Sequence, residues 1–180
     1  MTVAETVLKI DFLQSERLNL MHIRGPKEFP YGYTAIATMD NKEQHSLMDF
    51  GILRMKEGDV FSEEQHLERA YLLVNGKAKI SFDGKEAVIE RENCFDFEPW
   101  VIHVPNDVKV TITALGESEW CVHRTDNEKT FPSKLYTPEE CASENRGQGT
   151  MREASTRIVR TVFDYSNAPY SNLVLGEVIG

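Results

Sequence analysis

From Ser46 to Val122 apolar and polar positions alternate with a period of two, which is how strands with one buried face read in sequence. In "SLMDFGILRM" Met48, Phe50 and Ile52 alternate with Leu47, Asp49 and Gly51, and in "KAKISFDG" Ala78, Ile80 and Phe82 alternate with Lys79 and Ser81. "VKVTITA" sets Val108, Val110, Ile112 and Ala114 against Lys109, Thr111 and Thr113. These runs are broken by "EGD" at 57–59, "NG" at 75–76, "DG" at 83–84, "EN" at 92–93 and "PND" at 105–107. Gly, Asn, Asp and Pro supply the backbone angles that tight turns demand, and turns this closely spaced predict an antiparallel sandwich or barrel.

The flanks show other patterns. Thr6 to Phe12 reads as a strand, and the leader at 20–41, with its Pro-, Gly- and Tyr-rich "RGPKEFPYGYTA", reads as irregular. Towards the other end, "TPEE" offers Thr137 as N-cap, Pro138 at the first helical position and Glu140 three residues on from the cap. That signature predicts one short helix of about two turns near 138–144. An Arg-Gly loop, "NRGQGT", and two strand-like runs, "TRIVRTVFDY" and "SNLVLGEVI", complete the chain. The expected organisation is therefore an all-β, cupin-type jelly-roll barrel over residues 1–135, with an appended segment over 136–180.

Composition narrows the function classes. A chain of 180 residues supports one core, and 41% hydrophobic with 27% charged residues is an ordinary globular balance. The formal charge of -9 argues against nucleic acid or an anionic membrane as partner, because both are bound chiefly through Lys and Arg. No apolar run is long enough to span a bilayer, and "MTVAETVLKI" lacks the basic start and long apolar stretch of a secretory leader. Cys94, Cys121 and Cys141 form no C-x-x-C pair, which suits a reducing compartment. The cytoplasm is the expected location.

A cupin commonly holds a metal through His-x-His and Glu on one strand and a later His, since alternate strand residues face the same way. With Gly76 as the closing glycine of the first motif, the two histidine positions fall near Glu63 and Gln65 and the carboxylate position on Arg69; the last histidine position falls on Val110. Arg and Val cannot ligate a cation, so no metal ligands and no cofactor are assigned to this chain. His66 stands one place out of register and is expected to point to solvent or an interface. His103 and His123, on predicted strands, read either as hydrogen-bonded sheet histidines or as functional groups; His22 and His45 read as surface. Arg146, Arg152, Arg157 and Arg160 concentrate positive charge. They could grip the carboxylate of a sugar acid or pair with the acid excess. No nucleophile elbow, P-loop or dinucleotide loop is present, and "GQG" at 147–149 lacks the flanking strand and helix. No catalytic residue is assigned; Arg146, Arg157 and His103 are the candidates for substrate binding.

The order of "AYLLVNGKAKI", "CFDFEPWVIHVPNDVKVTITA", "FPSKLYTPEE", "NRGQGT" and "TRIVRTVFDYSNAPYSNLVLGEV" resembles the N-terminal half of the 5-deoxy-glucuronate isomerases of inositol catabolism. Those are related to the 5-keto-4-deoxyuronate isomerases of pectin breakdown. The resemblance runs from about Met48 to the end. It implies a two-cupin protein that isomerises a deoxy-uronic acid between aldose and ketose. In that family a divalent metal is held in the second cupin, by a Pro-Pro-His-x-His stretch with a subsequent Glu and His, shortly after the Leu-Gly-Glu-Val strand. This sequence reaches Gly180 before any such stretch, so none of those ligands carries over; Arg146, Gly147 and Arg157 match the family pattern without an implied role. The resemblance thus implies an N-terminal cupin domain that is silent by itself, or alternatively a metal-free module that binds a sugar acid or dimerises. The expected partners are a small-molecule sugar acid and a second copy of the chain, paired through sheet edges.

Overall fold

In the computed structural model residues 26–41 and 46–180 are described; the strand expected at Thr6–Phe12, and His22 and His45, lie outside them. The strands run in the order β1 (Gly32–Ala37), β2 (Asp49–Met55), β3 (Val60–Glu63), β4 (Glu68–Phe82), β5 (Lys85–Arg91) and β6 (Val101–Val104). They continue with β7 (Val110–Ala114), β8 (Ser118–Thr125), β9 (Lys134–Tyr136), β10 (Ala142–Arg146), β11 (Arg157–Phe163) and β12 (Leu175–Ile179). Every pairing is antiparallel. One layer has the order β1-β2-β8-β4-β6-β9, a second joins β3, β7, the far half of β4 and β5, and β10-β11-β12 form a separate three-stranded sheet. The first two layers make the jelly-roll cupin barrel. No helix among the described residues is long and apolar enough to cross a membrane.

β4 holds the two layers together. Its first half pairs with β6 and β8 and its second half with β5 and β7. The change of partner falls at Asn75–Gly76, where the register against β8 shifts and Gly76 takes φ +103°. The expected hairpin turn at this "NG" is therefore a corner inside one continuous strand. An extra residue at such a corner inverts the side-chain alternation. Tyr71 and Leu73 point inward before it, and Ala78, Ile80 and Phe82 after it. The "DG" at Asp83–Gly84, with both residues at positive φ, is the hairpin expected from sequence.

The inward residues pack into one core with Leu53, Met55, Ile89, Ile102, Val104, Val110, Ile112, Ala114, Trp120 and Val122. A second core lies on the outer face of the first layer. There Ala70, Leu72, Val101 and Tyr136 meet Val162, Phe163, Ala168, Leu173 and Leu175 from the end of the chain. The first half of β4 is consequently buried on both faces, which is why "AYLL" reads as an unbroken apolar run.

Three expectations change. Of the irregular leader, Gly32–Ala37 is a strand paired with β2, at the edge of the sheet among the described residues. On β2 the barrel core takes Leu53 and Met55, while Met48 packs into the second core, so the apolar set Met48, Phe50 and Ile52 is not the inward one. The helix near 138–144 is a single 3-10 turn, Pro138–Glu140, succeeded by β10. Its start behaves as a cap should, with the Thr137 N–H donating to the Glu140 carboxylate at 3.0 Å.

Candidate functional site

The four positions of the cupin metal pattern do gather at one end of the barrel. Glu63 is the register partner of Val110, the Asp107 N–H donates to the Gln65 carbonyl at 2.9 Å, and the guanidinium of Arg69 lies between these segments. Arg69 is fully buried. Its Nη2 donates to the carbonyls of Val108 at 2.5 Å and Pro105 at 3.4 Å, its Nη1 to Glu63 at 3.3 Å and its Nε to Leu67 at 3.2 Å. Arg suits this place because its planar fork can satisfy several acceptors at once.

Glu63 is occupied as well. Arg124 grips it bidentately, Nη2 to Oε2 at 2.8 Å and Nε to Oε1 at 3.2 Å, and the Tyr71 hydroxyl donates to Oε1. Arg124 also donates to the Tyr33 hydroxyl at 2.5 Å, with its guanidinium 4.4 Å above that ring. Burial pushes the Tyr71 phenol well above its usual value, and the neighbouring Glu63 carboxylate adds to this, so Tyr71 remains a donor. A divalent metal does not fit this set. One expected ligand position carries a fixed cation, another an aliphatic side chain, and the carboxylate that is present is bound to Arg124. Among the described residues no group of three or more His, Cys, Asp or Glu is arranged to hold a metal.

Two further polar clusters join the barrel to the end of the chain. In the first, the buried Glu68 carboxylate receives the Ser171 hydroxyl, the Asn172 N–H at 2.9 Å and the Asn127 amide at 2.6 Å, and meets His103 Nε2 at 2.7 Å. Burial raises the Glu68 pKa, but the hydrogen bonds from His103, Ser171, Asn172 and Asn127 outweigh it and hold the group below the ordinary glutamate value. The His103 ring stacks on Phe163 with centroids 4.3 Å apart. In the second cluster Glu177 of β12 lies between Arg91 (2.5 Å) and Arg160 (2.9 Å). Those two arginines also hold the carbonyls of Leu73, Cys94, Phe95 and Phe97.

The three candidates for substrate binding do not converge. Arg146 and Arg157 are register partners across β10 and β11, and both are exposed. Arg146 pairs with Glu144 at 3.0 Å, and Arg157 donates to the Ser155 carbonyl at 3.1 Å. His103 is enclosed between the barrel and the segment beyond β11. Arg152 is exposed and Arg160 buried, so the four arginines form no single patch. His66 is exposed and pairs with Asp107 at 2.8 Å. All three cysteines are free; burial pushes the thiols of Cys121 and Cys141 up to about 11, so neither is an activated nucleophile.

His123 faces Phe50 at 5.1 Å. Burial drives its pKa down to about 4, only partly opposed by its bond to the Ala70 backbone. The folded value lies below the unfolded one near 6.5, so between these values the unfolded chain binds more protons. The stability His123 confers is complete above pH 6.5 and is lost as pH falls towards 4. Urea unfolding at pH 7 and pH 5 should show about 2 kcal/mol of loss from this residue, and that pH-dependent increment should be absent in His123→Asn.

Glu68, Arg124, Ser171 and Glu177 escaped the motif search because no motif joins them, and Glu63 entered it only as a position where a histidine was expected. The visible signal was a pair of charged residues, Glu68 and Arg69, opening the most apolar strand of the chain, where a charge without a partner would be prohibitive.

Comparison with known proteins agrees with this architecture. A 5-deoxy-glucuronate isomerase of Bacillus subtilis (strain 168) is 27% identical over 137 residues, 73% of this chain and 48% of that protein. Its counterpart in Bacillus licheniformis is 28% identical over 138 residues, 74% and 49% of the two chains. The chain thus spans about half the length of the curated relatives it matches. The crystal structure of an IolB-like protein from Salmonella typhimurium LT2 superposes with a TM-score of 0.69 at 21% identity, over 77% of this chain and 52% of that one, a likeness of fold. The KduI/IolB family model matches residues 23–180, and the chain belongs to that family.

Proposed function

We propose that the chain is the structural cupin half of a 5-deoxy-glucuronate isomerase-type protein and is silent in isomerisation by itself. The observation that carries this reading is the barrel end, where Arg69 and the Glu63–Arg124 pair stand at the positions a metal would require. Aldose–ketose interconversion needs one group to polarise a carbonyl and another to move a proton between adjacent carbons. Here the Glu63 carboxylate is held on both oxygens, and the Arg69 donors are spent on backbone carbonyls. On this reading the deoxy-uronic acid and the divalent metal belong to the length of the relatives that the chain does not cover. The location is cytoplasmic, and a second copy of the chain is a partner.

The purified chain, incubated with 5-deoxy-glucuronate with and without added Mn²⁺ or Zn²⁺, is expected to give no ketose above background. Turnover that disappears in Glu63→Gln would overturn the proposal. A second reading, a metal-free module that binds sugar acids, is favoured by Arg146 and Arg157 facing each other in register. It requires saturable glucuronate binding by calorimetry that is lost in the Arg146→Ala/Arg157→Ala double variant.

A further inference from the structure

The geometry points to the segment 164–174, between β11 and β12, as a strap that detaches from the barrel while β12 stays anchored through Glu177, with Glu68 as the latch of the strap. The strap has its own internal structure. The Ala168 N–H donates to the Asp164 carbonyl at 2.8 Å, the Ser171 N–H to the Ala168 carbonyl at 3.0 Å, and the Ser166 N–H to the Asp164 carboxylate at 2.8 Å. β12, which continues it, pairs with β11 and with no barrel strand. No ladder bond therefore has to break in the barrel for the strap to leave.

Ala168 and Leu173 enter the second core, and Tyr170 packs against it and stacks on Phe131 with centroids 4.6 Å apart; this core is separate from the one that fills the barrel. The polar ties converge on one carboxylate, which takes both the Ser171 hydroxyl and the Asn172 N–H. Asn127, also bound to Glu68, holds the Tyr170 carbonyl at 2.9 Å. The Asn172 side chain adds a bond to the Asp126 carbonyl at 2.7 Å. The closed arrangement also has a cost, since His103 Nδ1 is buried there without a hydrogen-bond partner. Regions with few buried contacts and an internal cost open below the global unfolding free energy.

Native-state hydrogen exchange on the intact chain tests this. In the wild type, amides of 166–173 are expected to exchange through an opening that leaves β7 and the 78–82 half of β4 protected. Glu68→Gln should speed exchange of the strap at least tenfold, with those barrel amides unchanged. Ser171→Ala, which alters only the strap side of the latch, should produce the same selective change of about tenfold, the worth of one hydrogen bond to a charged group. A single common opening for strap and barrel in the wild type would overturn the inference. So would equal acceleration of both by Ser171→Ala, or no acceleration of the strap.

Discussion

Glu177→Ala is expected to lower the unfolding free energy by about 3–5 kcal/mol, the cost of breaking a buried ion pair by removing one partner. The Arg91 and Arg160 side chains are 0% and 3% exposed, so the variant buries two positive charges beside each other with backbone carbonyls and, 3.8 Å from Arg160, the Glu98 carboxylate for company. The loss comes mainly from these stranded cations and less from the missing attraction. The double variant Glu177→Leu/Arg91→Met should therefore recover a measurable part of it, because one stranded charge is gone. Chemical denaturation of the four members of the cycle at pH 7 gives the coupling directly. A loss below about 1 kcal/mol, in the range of an exposed pair, would mean that the contact is not the tie between β12 and the barrel.

The second large effect is at the corner of β4. A Cβ placed on Gly76 would clash with the Glu117 carbonyl oxygen and lie 2.5 Å from the Ser118 Cβ, at φ +103°. Backbone strain at such an angle costs on the order of 1–3 kcal/mol, and here the neighbouring backbone must move as well. Gly76→Ala should lose at least about 3 kcal/mol. Gly58→Ala separates the two causes. That residue also has positive φ, +86°, but nothing lies within 4 Å of its added Cβ, so it should lose only the strain of about 1–2 kcal/mol. Equal losses in the two variants would show that the corner does not depend on close approach.

These two sites also mark how far the sequence could be read. One-sided strands such as 78–82 and 108–114 were legible because burial on one face forces alternation. The corner was not, because Asn-Gly serves a hairpin and a bend within a strand equally well and only the partners on either side decide. β1 was missed because an edge strand with no buried residue carries no alternation, and β10, exposed along its whole length, hid inside the expected helix for the same reason. The polar clusters lay beyond any local reading. Glu63 and Arg124 are 61 positions apart, Arg91 and Glu177 86, and Glu68 and Ser171 103. Local pattern could say only that Glu68 and Arg69 needed partners. The absence of ligand chemistry at Arg69 and Val110 was readable by counting, whereas the four carbonyls that receive the guanidinium were not.

Arg69 has a consequence for redesign. A metal could not be introduced at this barrel end one ligand at a time. Arg69→Glu alone would set a carboxylate among four carbonyl oxygens and next to Glu63, with repulsion on every side and no histidine to share a cation. Changing Glu63 first would strand Arg124. With a cation of the polypeptide already built into this barrel end, several groups would have to be replaced together before a metal could bind.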